Sequence, residues 1–180
     1  GGVETVIDKL RLKATYGLVG NDAISSDRFF YLSDVNMNDT SKNVWYGTDF
    51  SVTRPGITVR RYPNSDITWE IARKLNLGLE LRLFDKVELQ ADYFSETRSN
   101  ILMERSNLPS SMGLEASVEA NVGRASSHGF EGALSYQHSF SENFFITANA
   151  NFTYATSEYL VADEPDYAAS GLPWRSHIGY

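Results

Sequence analysis

Cysteine is missing from the 180-residue sequence, and proline and methionine are scarce, at five and three residues. Without thiols the chain has neither a disulfide framework nor a thiolate zinc site. No stretch approaches the ~18 consecutive apolar residues of a membrane-crossing helix, and no run carries apolar residues at helical spacing. Positive charge is also short. Sixteen Lys and Arg stand against 23 Asp and Glu, for a formal net charge of -7 and a sequence pI ≈ 4.9. That balance argues against a broad basic surface for nucleic acid. There is no Gly-x-Ser-x-Gly elbow, P-loop or dinucleotide fingerprint. His128, His138 and His177 are scattered, without acidic companions at metal-ligand spacing. No catalytic residue, metal or cofactor is therefore expected, and the chain does not read as an enzyme.

What the sequence has instead is alternation. Across 71–83 the odd positions are Ile71, Arg73, Leu75, Leu77, Leu79, Leu81 and Leu83, while the even ones are polar or small. Side chains of a strand point alternately to opposite faces, so this run predicts a strand with one greasy and one charged face. Its 13 residues exceed the usual strand length of ~5–6 and suit a tilted membrane-spanning strand, which needs about 9–11. Similar runs occupy 9–17, 68–83, 86–98, 126–137 and 143–155, and a sixth begins at Trp174 and is cut off at Tyr180. The expected fold is all-β, with antiparallel up-and-down strands. A mean hydropathy of -0.33 is compatible with a membrane barrel, because the inward polar face dilutes the average.

The connections alternate between short and long. Residues 84–86 and 139–142 make tight turns, whereas 18–67, 99–125 and 156–173 are long. Outer-membrane barrels have short periplasmic turns and long extracellular loops. Aromatics supply a second cue. Trp69, Tyr93, Phe130 and Tyr154 fall near the long-loop ends; Phe84, Tyr136, Phe140 and Phe144 lie near the short-turn ends. Two aromatic rows around an aliphatic band describe a barrel wall, because polar-tipped rings favour the headgroup level. Arg73, the one outward charge of its strand, is close enough to Trp69 to snorkel to that level. Leu75, Leu77, Leu79, Leu81, Leu89, Ile146 and Phe152 are the expected lipid-facing residues.

Several segments resemble the C-terminal barrel region of the SusC/RagA family of TonB-dependent outer-membrane transporters. LRLKATYGLVGND at 10–22 is similar to its "LKLRxSYGxxGN" segment. PNSDITWE at 63–70, followed by KLNLGLE at 74–80, resembles "NPDLxWE" and its continuation, with Pro-Asn inverted. DYFSETRSNIL at 92–102 resembles a "DYYxxxxxDLL" strand; NVG at 121–123 and GFE at 129–131 match "NxGxxxNxGxE", with Ser127-His128 in place of the usual Asn and its neighbour. NANFTY at 149–154 resembles a later outward strand. The resemblance implies that 1–180 is part of a large transmembrane β-barrel in the cell outer membrane, the plug and remaining strands lying elsewhere. It further implies a SusD-like lipoprotein and, through the plug, TonB as partners, with a glycan or peptide as imported nutrient.

Within 18–67, exposed aromatics and a basic pair suggest contact with substrate or lid: Tyr31, Trp45, Tyr46, Arg60 and Arg61. The competing explanation is that these rings pack the loop itself. Asn36-Met-Asn-Asp39 reads as a solvated turn, since a calcium loop needs a glycine and downstream glutamate that do not follow. Arg82 and Glu88 are equidistant from the tight turn, placed to pair across it. Two other classes remain open from periodicity alone. A soluble β-sandwich binding carbohydrate alternates in the same way, and a β-rich hydrolase would need paired carboxylates flanking its substrate.

Overall fold

The computed structural model describes residues 6–179. The strands are β1 (Ile7–Asn21), β2 (Asp34–Tyr46), β3 (Val52–Arg61), β4 (Glu70–Leu83), β5 (Val87–Glu104), β6 (Glu119–Ser141) and β7 (Phe144–Val161). Five form one sheet in the order β1-β4-β5-β6-β7, and β2 and β3 pair as a separate hairpin. All strand pairs are antiparallel. The sheet is therefore an up-and-down meander, interrupted once by the hairpin excursion.

Register follows the alternation. Leu12 stands opposite Leu79, which stands opposite Ala91, then Gly132, then Phe152. One step along, Ala14, Leu77, Tyr93, Phe130 and Tyr154 make the next row. A slip of one residue on any strand would throw its leucines to the charged face, so the pattern itself enforces this register. No second layer of described residues covers the apolar face, whose large side chains stand exposed, and all substantial packing between strands is between sheet neighbours or within the β2–β3 pair. Ala72 is the one buried apolar residue among those described. Leu10, Leu12, Tyr16, Leu77, Tyr93, Phe130, Leu134, Ile146, Phe152 and Tyr154 are exposed on one face. At ~150–250 Å² for each ring, such a patch is on the order of 1,000 Å², well beyond the ~300–600 Å² typical of the largest patch on a soluble monomer. A sandwich would have buried those leucines against a second sheet, and no described residues supply one.

The short β4–β5 turn takes Phe84 (φ 54°) and Asp85 (φ 50°) into the left-handed region, closed by the Lys86 N–H donating to the Leu83 carbonyl at 3.0 Å. Left-handed backbone matches the twist of the flanking strands, so the turn tolerates a phenylalanine there at some cost.

Six expectations need correction. The connection expected at 99–125 shortens to 105–118, because β5 runs on to Glu104 and β6 begins at Glu119. Tyr93, Phe130 and Tyr154 do not mark the long-loop end, because register sets them level with Leu77 midway along β4. The 18–67 segment is not a single loop, because β1 runs on to Asn21 and the β2–β3 hairpin stands inside it. Register shifts at Asn36/Asp39 and Asp39/Val44 break the period of β2, which hides the strand from a periodicity reading. The turn expected at 36–39 is thus a kinked part of β2. Trp174 starts no strand: Pro173–Arg175 is a single 3-10 turn, and Ile178 makes an isolated parallel bridge with Tyr159. Finally, Arg82 does stand opposite Glu88, but its Nε meets Asp85 in the turn, at 3.7 Å.

Candidate functional site

The polar face is organised around a few carboxylates. Glu80, only 7% exposed, receives Lys9 at 2.8 Å, Arg11 at 3.5 Å, and Lys13. Alternate residues of β1 share a face, so positions 9, 11 and 13 all reach the same carboxylate across the β1–β4 ladder. A second network joins Lys74 to Glu96 (3.3 Å), Glu96 to Arg98 (2.5 Å) and Arg98 to Glu70 (3.4 Å). Exposed pairs of this type contribute only ~0.2–1 kcal/mol each; their main effect is to keep this face hydrated and charged. Asp92 stands directly opposite Glu131, and neither has an ion-pair partner among the described residues. Such a face suits water, not a dry core.

Beside the second network, toward the end where the long connections begin, lies a recess of about 360 Å³ bordered by Glu96, Arg98, Ser127, Ser157 and Tyr159. Register explains it: Glu96 is opposite Ser127, Ser127 opposite Ser157, and Ala125 lies between Arg98 and Tyr159. Small side chains in the middle strand leave the space. Its walls present two hydroxyls, an ion pair and a phenol, groups able to hydrogen-bond a hydroxylated or amide-bearing ligand.

The three long connections are tied to one another. Asn121, at the start of β6, donates to the carbonyls of Thr68 (2.9 Å) and Asn100 (2.8 Å) and accepts from the Thr68 N–H (2.8 Å). Asn64 donates to the Glu119 carbonyl at 2.7 Å. Glu115, between β5 and β6, accepts the Val59 N–H at 2.8 Å and pairs with Lys42, so it holds both strands of the hairpin. Tyr62 reaches the Glu115 N–H at 3.1 Å. On the other side Arg105 grips Asp163 at 2.6 Å, and Asn107 donates to Asp163 and to the Glu164 carbonyl. Glu164 in turn accepts the His177 N–H at 3.0 Å and the Ser176 hydroxyl.

The joined connections and the hairpin form a collar at this end of the sheet, and hydrogen bonds tune its acids. Hydrogen bonds from Thr58 and Ser41 hold Asp39 well below the usual range, at about 2. Burial pushes Asp163 up, but Arg105 and Asn107 outweigh it and lower its pKa. The His177 N–H and Ser176 hydroxyl lower Glu164.

The structure splits the loop residues singled out in the sequence. Tyr31 and Arg61 lie at the base of the hairpin. Arg61 donates to the Leu32 carbonyl (3.0 Å) and pairs with Asp27 (3.0 Å), and Tyr31 packs edge-on against Phe29 and Phe30. Arg60 is exposed beside Arg61. Trp45 and Tyr46 lie at the far end, opposite Thr53 and Val52, and both are exposed. Nine residue steps of ~3.3 Å along β3 put about 30 Å between base and tip. Glu115, Asp163 and Glu164 were not legible as collar residues, because their partners are remote in sequence. Leu75, Leu77, Leu79, Leu81, Leu89, Ile146 and Phe152 all occupy the apolar face. Among the described residues no cluster of three or more His, Asp or Glu could hold a metal.

Known proteins resemble this chain in sequence and in fold. In Formosa agariphila, TonB-dependent receptor P39 is 26% identical over 92% of this chain, and TonB-dependent receptor P3 is 27% identical over 81%. The chain spans only 15% and 13% of their lengths. The RagAB peptide importer in its "open-open" state superposes with a TM-score of 0.66 at 23% identity, over 87% of this chain and 16% of that one. Its "closed-closed" state gives 0.63 at 24%, over 86% and 16%; at such identity the likeness is one of fold. A family model described as "TonB dependent receptor-like, beta-barrel" matches residues 2–179, and the chain belongs to that outer-membrane family.

Proposed function

We propose that this chain forms part of the wall and outer rim of a TonB-energised transporter that imports a glycan or peptide nutrient across the outer membrane. The observation that carries the reading is the aligned apolar face. Leu75, Leu77, Leu79, Leu81, Leu89, Ile146 and Phe152 share it, no described layer covers it, and hydrocarbon tails are the medium that would. The opposite face, with its ion pairs and hydroxyls, then lines a hydrated lumen. All three long connections leave the same end of the sheet, which suits an extracellular rim.

On this reading the hairpin tip, with Trp45 and Tyr46, contacts a SusD-like lipoprotein lid or the arriving substrate, while Arg60 stays exposed near the hairpin base. Tyr31 and Arg61 support the hairpin from below. Energy enters elsewhere in the whole protein, through a plug that engages TonB. The test is growth of a strain carrying the full-length protein on defined glycans or oligopeptides as sole nutrient. Growth on at least one that is lost when either the receptor or TonB is inactivated supports the proposal. Unchanged growth and uptake across the panel in both mutants would refute it.

A further inference from the structure

The apolar wall is not uniform. On β1 it reads Leu10, Leu12, Ala14, Tyr16, and on β5 Leu89, Ala91, Tyr93, so each alanine is bracketed by large side chains of its own strand. Register sets Ala14 beside Leu77 and Ala91 beside Leu79. The result is a trough of about 460 Å³ across β1, β4 and β5, with Leu12, Tyr93 and Phe130 at its margins.

We propose that this trough seats one acyl chain of a bilayer lipid, held in preference to the chains that merely brush the rest of the wall. The proposal rests on the reading that this face meets the membrane. Its lining decides the ligand. The residues are aliphatic and aromatic; the only charged one, Lys13, carries its ammonium to Glu80 on the opposite face. Apart from the Tyr93 hydroxyl no side chain there offers a hydrogen bond, so a sugar, a peptide backbone or an anion would lose its water without replacement. A protein partner is also a poor fit, since protein interfaces carry a polar rim and about one hydrogen bond per 100–200 Å². A hydrocarbon chain asks for nothing but contact. The trough runs along register rows, across the strands, and barrel strands tilt by ~35–45°; the seated chain therefore lies oblique to the membrane normal.

The experiment uses the full-length protein in vesicles of phosphatidylethanolamine and phosphatidylglycerol doped with a phospholipid bearing a diazirine on its acyl chain. After photolysis, labelled positions are mapped by peptide mass spectrometry. Labelling at Ala14, Leu77, Ala91 and Tyr93 is expected to exceed that at Leu81, Leu89 and Leu134, on the same face, by at least about fivefold. Ala91→Phe should abolish the excess and leave the other positions unchanged; Ala14→Leu serves if that variant fails to assemble. Even labelling over the face overturns the seat and leaves the lipid-facing reading standing. Cross-links to protein at the trough, with lipid label around it, overturn the choice of occupant. An absence of label over the whole face would instead refute the membrane reading beneath it.

Discussion

Leu77→Arg and Asn76→Arg form the most direct test of which face meets lipid. The two positions are adjacent on β4, so strand propensity, distance from the turn and added charge are matched, and only the face differs. Leu77 lies between Ala14 and Tyr93, midway along β4, and is 45% exposed. An arginine there meets hydrocarbon at a cost of about 2–4 kcal/mol near the midplane, or roughly 30- to 700-fold in the folded-to-unfolded ratio. Asn76 lies on the polar face, where it donates to the Thr15 hydroxyl at 3.3 Å. An arginine in its place loses that weak bond and points into water, an effect within about ±0.5 kcal/mol. Urea titration of the full-length protein folded into vesicles, read by the shift between heat-modified and compact gel bands, measures both. Similar midpoints for the two variants, or a wild-type midpoint for Leu77→Arg, would refute the assignment of faces.

Glu80→Gln should lower thermal stability measurably, because Lys9, Arg11 and Lys13 would be left crowded without their shared counterion; Glu80→Asp should restore part of the loss in the same melting assay. Gly129→Ala places a methyl against the Phe94 ring and 2.5 Å from the Tyr154 carbonyl, costing about 1–3 kcal/mol by overpacking; a wild-type melting temperature for Gly129→Ala would refute the close packing at this position. The collar should loosen in acid. Asp39 is lowered from 3.8 to about 2, and Asp163 and Glu164 are also lowered. A depressed carboxylate contributes stability above its unfolded pKa and loses it as pH falls through the folded one. Hydrogen exchange at 34–61 and 162–179 should therefore accelerate, beyond the intrinsic pH effect, from about pH 4 toward 2; unchanged protection of these segments would count against these contacts. Glu115→Ala should raise exchange at the Val59 amide and along β2–β3 without altering the strand ladder, and an unchanged Val59 rate would remove Glu115 from the collar.

Much of this architecture was legible in one dimension because a strand's side chains alternate with a period of two. Leu75 to Leu83 announce their face without any knowledge of neighbours, and two tight turns against three long connections predict an up-and-down sheet. The "LRLKATYGLVGND" and "PNSDITWE" segments added the family resemblance, which the match over 2–179 bears out. The hairpin β2–β3 escaped notice because kinks around Asp39 interrupt its period. Trp174 looked like a strand because apolar residues at 174, 178 and 180 are in phase, yet a ladder requires a partner edge as well as a phase. Which alanines face which leucines, and so where the wall is hollow, is a matter of register between strands. So is the gathering of three cations on Glu80, and the collar joins residues such as Val59 and Glu115, or Arg105 and Asp163, that are more than fifty positions apart. Periodicity is a local property and survives in the sequence alone; pairing across strands and loops is decided by where the chain returns, which only the folded sheet determines.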